Sequence, residues 1–136
     1  MPSIKRPRRR MAGFTLIEMM IVMAIIVTLI SLAIPYYQKS LTRAKETVLR
    51  SNLHTLRMAI DEYSYDKQKA PQSLQDLVTD SYLRDVPKDP ITGSSTTWRV
   101  IMEEAGQAVS STEPGIFDVR SGANLKSMEG TTYSEW

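Results

Sequence analysis

Residues 14–34 form an apolar run, FTLIEMMIVMAIIVTLISLAI, of 21 residues whose one charged member is Glu18. As a helix rising about 1.5 Å per residue it would be roughly 30 Å long, the thickness of a bilayer's hydrocarbon core. A carboxylate near one end of a spanning helix costs on the order of 2 kcal/mol or more unless it reaches the interface or meets a partner. The fold must therefore supply an anchor and an answer for Glu18. Before the run stands Lys5-Arg6-Pro7-Arg8-Arg9-Arg10. Such a cluster beside a membrane segment sets topology: positive residues stay cytoplasmic, which puts everything beyond Pro35 on the other side. The same cluster could suggest nucleic acid, but its place beside the span argues for topology, and no nucleic-acid partner is expected.

Pro35 and Tyr36-Tyr37 follow the run directly. A proline inside a helix removes one backbone hydrogen bond and crowds the preceding turn, so a helix kink or local unwinding is expected at Pro35. Tyrosines at that level suit a membrane interface. Leu49, Leu53, Leu56, Ile60 and Tyr63 then recur at spacings of 4, 3, 4 and 3, the period of one helix face. Leu41 and Val48 extend the stripe upstream, while Lys45, Glu46, Arg50, Arg57 and Glu62 fall largely off it. One long helix over about residues 14–66 is predicted, spanning first and amphipathic second.

Asp66-Lys67-Gln68-Lys69-Ala70-Pro71 ends it, since a residue before proline is biased away from helix. Ser73 with Asp76 three positions on reads as a capping box for a short helix over 74–80, burying Leu74, Leu77 and Val78. Residues 82–95 hold two prolines and a Thr-Gly-Ser-Ser turn, a loop. Two alternating stretches rich in β-formers, 97–101 and 115–120, predict an antiparallel pair joined by a polar loop over 103–114. The tail over 121–136 reads as irregular.

The chain has 136 residues, 17 basic against 15 acidic, and no cysteine. That length allows one small domain beside the anchor. Without disulfides such a domain must be held by its core, by neighbouring molecules or by a metal.

Gly13-Phe14-Thr15-Leu16-Ile17-Glu18 behind a basic leader resembles the processing signal of type IV pilins and type II secretion pseudopilins. Downstream, Ala59-Ile60-Asp61-Glu62-Tyr63, the segment from Asp66 through Leu77, Tyr82-Leu83-Arg84-Asp85-Val86-Pro87-Lys88-Asp89-Pro90 and Phe117-Asp118-Val119-Arg120-Ser121-Gly122-Ala123 are similar to the major, G-type pseudopilin. The absence of cysteine points the same way, because many type IV pilins close their C-terminal region with a disulfide. The resemblance implies an α+β, pilin-like fold: a long N-terminal helix, transmembrane in its first half, packed on a small C-terminal antiparallel sheet domain. The implied divisions are a cleaved leader over 1–13, a transmembrane and assembly half over 14–35, a periplasmic helical half over 36–66 and a small α+β region over 67–136.

It further implies that a prepilin peptidase cuts between Gly13 and Phe14 and N-methylates Phe14. Losing the leader removes five of the 17 basic residues and no acid, so the mature chain carries 12 against 15 and is mildly acidic. Glu18 would meet the Phe14 amine of a neighbouring subunit in a homo-oligomeric filament, where ammonium and carboxylate relieve each other's burial. Implied partners are an inner-membrane assembly platform and minor pseudopilins, and the implied location is the bacterial inner membrane, single-pass, with the C-terminal domain periplasmic. No enzyme activity is implied. Calcium is, through oxygen ligands of the C-terminal loop at Asp118, Ser121 and Asn124. This chain departs from that pattern, with Asn124-Leu125 for the family's Asp-Gly and Tyr133-Ser134-Glu135-Trp136 for its acidic end; fewer carboxylates mean weaker binding.

Three alternatives stand beside this reading. One is an ordinary secretory signal cut near Ser31-Leu32-Ala33, although its apolar region is usually about 7–15 residues. Another is a type IV pilus pilin. The third is a periplasmic enzyme or binding domain on an uncut anchor, but His54 is the one histidine and no nucleophile–base spacing is evident.

Overall fold

Hydroxyls and a carboxylate in an apolar helix must find partners close by, and in this chain they do. The structure, a computed structural model, describes residues 1–2, 12–109 and 113–136; the basic run over 5–10 lies outside them. It is α+β, with α1 (Leu16–Lys67), α2 (Leu74–Thr79), β1 (Arg99–Met102), β2 (Ile116–Arg120) and a closing 3₁₀ turn (Tyr133–Glu135). The chain divides into two units, Met1–Lys39 and Ser40–Trp136.

In the first unit every described residue is exposed. Residues 14–34 contain four polar side chains, and each closes on its own segment. Thr28 Oγ1 donates to the Ala24 carbonyl at 2.8 Å and Ser31 Oγ to the Val27 carbonyl at 2.8 Å. Thr15 and Glu18 pair at the helix start. In hydrocarbon, where water offers no partner, such internal closure is required. The helix is long and apolar enough to cross a membrane. Pro35 lies inside α1, with helical residues on both sides. The local unwinding raised as one outcome at Pro35 does not occur, because a single missing donor leaves the neighbouring i→i−4 bonds in place.

The second unit buries the predicted stripe. Leu49, Leu53, Leu56, Ile60 and Tyr63 of α1 pack with Leu77, Leu83, Trp98, Ile116, Val119, Ala123 and Tyr133. Each large side chain fully buried is worth about 1.5–3 kcal/mol. The stripe does not extend upstream as expected, since Leu41 and Val48 are exposed. α2 carries the predicted capping box: Asp76 N–H donates to Ser73 Oγ, and Ser73 N–H to Asp76 Oδ2. β1 and β2 pair antiparallel, Arg99 opposite Arg120, with a bulge beside Met102. Phe117 falls at that bulge and is 68% exposed. The first strand begins two residues later than predicted, because Trp98 turns inward and its indole N–H donates to the Pro87 carbonyl at 2.8 Å.

Two glycines are dictated by space. A Cβ on Gly122 would sit 1.9 Å from the Thr97 carbonyl oxygen, and one on Gly115 2.6 Å from that of Ala70. The tail is more ordered than its composition suggests: Lys126 and Thr132 form a β-bridge, and Tyr133 N–H donates to the Leu125 carbonyl at 3.0 Å.

Candidate processing and assembly site

Gly13 and Phe14 are exposed and lie outside regular structure, just before α1. A Cβ on Gly13 would meet nothing within 4 Å, unlike one on Gly122 or Gly115. Among the described residues, nothing in the fold requires glycine at 13.

Helix α1 starts through a capping box that sequence reasoning missed. Thr15 N–H donates to Glu18 Oε2 at 2.8 Å, and Glu18 N–H donates to Thr15 Oγ1 at 3.3 Å. The signal was local, a threonine followed three places on by glutamate ahead of an apolar run. It was hidden by the other reading of the same six residues. The box uses one carboxylate oxygen of Glu18 and sets its charge in the first turn, where the helix dipole favours an anion. It also holds the Glu18 carboxylate on the N–H of Thr15, the residue after Phe14, whose own nitrogen a cut after Gly13 would turn into an amine.

Two of the candidate calcium residues are engaged by other groups and the third is exposed. Asp118 Oδ1 accepts from Arg57 Nε at 2.8 Å and from Val119 N–H at 2.7 Å. A second Arg57 nitrogen, Nη2, donates to the Val119 carbonyl at 3.0 Å, tying α1 to β2. Ser121, fully buried, donates to Asp89 Oδ2 at 2.5 Å and accepts from Ala123 N–H at 3.2 Å. Asn124 is exposed. Among the described residues no three His, Cys, Asp or Glu side chains gather where they could hold a metal. Calcium takes 6–8 oxygens, and here one candidate is held by an arginine and another by a buried aspartate. The residues present do not fit the ion.

Two acids that sequence reasoning left without a role organise the domain. Asp89 is 0% exposed. Its Oδ1 accepts from Ile91 N–H at 2.8 Å, turning the Pro-Lys-Asp-Pro loop, while Oδ2 takes Ser121. Asn52 of α1 adds a bond from Nδ2 to the Lys88 carbonyl at 3.0 Å. Glu46 was expected off the buried stripe but is only 4% exposed. It accepts from Tyr133 Oη at 2.9 Å and from Met128 N–H at 2.8 Å. Burial first, and then the hydrogen bond to Glu46, push the Tyr133 phenol up from 10.0 to about 12. Burial also raises Tyr63, with Asp80 and Asp76 adding to it.

An exposed Gly–Phe bond, a capped acid four residues beyond it and a long apolar helix leading into a small α+β domain define the pilin-like precursors as a class. The motif profile described as the prokaryotic N-terminal methylation motif matches residues 8–34. The chain is 33% identical over 99 residues to type II secretion system core protein G of Pseudomonas aeruginosa, covering 61% of this chain and 70% of that one. Competence protein ComGC of Halalkalibacterium halodurans is 32% identical, over 59% of this chain and 78% of its own. Type IV major fimbrial protein FimA of Dichelobacter nodosus is 43% identical over 44% of this chain and 38% of its own. Among solved structures none matches. Within the pilin-like class, the chain belongs to the family of type II secretion system core protein G.

Proposed function

We propose that the chain is the precursor of a pseudopilus subunit. A prepilin peptidase would remove residues 1–13 and N-methylate Phe14. Residues 14–35 would anchor the subunit in the inner membrane and later form the filament's centre. Residues 36–66 and the α+β region 67–136 would stand in the periplasm, as the basic leader directs. Subunits then leave the bilayer through an assembly platform and polymerise into a short filament that moves folded proteins outward, with minor pseudopilins as further partners. The role is structural.

The observation that carries this reading is Glu18. Its capping box engages one oxygen with the Thr15 N–H and leaves the charge beside the position of the new amine. In a low-dielectric filament centre an ammonium from a neighbouring subunit would compensate that charge, and an uncut chain offers no such cation at Phe14. Similarity to the fimbrial subunit covers 44% of the chain, against 61% for core protein G, which favours the pseudopilus over a surface fibre.

The test is to co-express Glu18→Ala and Glu18→Asp variants with the secretion machinery and score membrane insertion and sheared filaments. The alanine variant is expected to insert normally and assemble poorly, with aspartate milder. Normal polymerisation by Glu18→Ala would refute the pairing.

A further inference from the structure

Calcium does not fit the residues that the resemblance pointed to, yet the C-terminal segment 125–136 is closed, and what closes it comes from α1. Glu46 Oε1 accepts from Met128 N–H at 2.8 Å and from Tyr133 Oη at 2.9 Å. These partners lie 82 and 87 residues along the chain. One helical turn on, Arg50 places its guanidinium 4.3 Å from the centre of the Trp136 ring and 3.5 Å from Glu129 Oε2. Positions i and i+4 share a helix face, so the two side chains grip the segment together. Inside the segment, Trp136 Nε1 donates to Thr131 Oγ1 at 2.9 Å, and the Tyr133 and Trp136 rings meet edge-on at 5.2 Å. Ser127 N–H donates to the Thr131 carbonyl at 2.7 Å.

A divalent cation stabilises a loop by drawing several of its oxygens onto one positive centre. Here the polarity is reversed. A buried carboxylate on the helix draws donors of the tail onto one negative centre, and charge-assisted bonds of this kind are stronger than neutral ones. Arg50 adds a cation that serves the acidic and aromatic side chains of the tail. We infer that Glu46, assisted by Arg50, is a latch that closes segment 125–136 on α1 in place of a metal, so that the domain's stability is independent of calcium. Glu46 and Arg50 are positioning residues, and the latch does not depend on what the filament does.

The experiment uses the full chain in detergent, with thermal unfolding followed by tryptophan near-ultraviolet signal and hydrogen exchange read at Met128 and Tyr133. The probes are EGTA and CaCl₂ at about 10 mM, enough to saturate even the weak extracellular class of sites. Wild type is expected to melt at the same temperature in both, and Glu46→Ala to speed exchange at Met128 by about tenfold or more. Should Glu46→Ala fail to fold, Tyr133→Phe and Arg50→Ala are read instead, and faster exchange confined to 125–136 is the expected result. Calcium raising the melting temperature, or exchange at Met128 unchanged in the variants, would overturn the latch.

Discussion

Residues 14–34 and the unit Ser40–Trp136 handle their polar groups in opposite ways. In the first, every polar side chain finds its partner within four residues, and the apolar side chains remain exposed. In the second, the buried acids reach across the chain: Asp89 to Ser121 over 32 residues, Glu46 to Tyr133 over 87. On the proposed function the first segment passes from lipid into a filament, and such a segment cannot depend on fixed partners elsewhere in its own chain. A small domain without disulfides has to depend on them.

The glycines break this comparison most directly if it is wrong. Gly122→Ala forces a Cβ against the Thr97 carbonyl, and backbone on both sides must move. The expected loss is about 3 kcal/mol or more, read by thermal unfolding, the range of severe core substitutions. Gly13→Ala, with open space around it, should leave that melt unchanged and instead block processing, read by the mass of the product.

Asp89→Ala comes next. It removes the acceptor of Ser121 Oγ and Ile91 N–H in a fully buried site, so about 2–3 kcal/mol of stability should be lost. A loss below about 0.5 kcal/mol, the scale of an ordinary surface change, would contradict its role as the loop's organiser.

Alkaline pH tests the tail with a smaller effect. Tyr133 stays protonated in the folded chain up to about 12, against 10.0 ordinarily. A raised phenol favours the folded state fully below pH 10, and that contribution is lost as pH rises from 10 to 12. The melting temperature should fall across this window, and Tyr133→Phe should remove that part of the fall. In the anchor, Thr28→Ala and Ser31→Ala should do least. Each hydroxyl only shares a carbonyl of its own helix, so membrane insertion and helicity should stay within about 0.5 kcal/mol of wild type.

The same contrast explains what the amino-acid sequence reveals. Local signals were legible: the stripe from Leu49 to Tyr63, the Ser73–Asp76 cap and the apolar span. The candidate site at Gly13, Phe14 and Glu18 is equally local, lying in six consecutive residues. Glu46 was not legible, because nothing near it in the chain reveals donors beyond position 125. The pairing of Arg57 with Asp118 was hidden for the same reason, and with it the fact that this carboxylate is already engaged. Trp98 alternated like a strand residue, but its indole bond to Pro87 comes from a loop eleven positions back. Leu41 and Val48 fit the helical period yet stay exposed, because periodicity identifies a face and not where its cover ends.

The proposed function turns on processing, which would create the cation that meets Glu18. Its most direct test is to co-express the chain with a prepilin peptidase and determine the mass and N-terminal sequence of the product. Loss of residues 1–13 with a methyl group on Phe14 is the predicted result. An intact leader, or a terminus following Ala33, would contradict it.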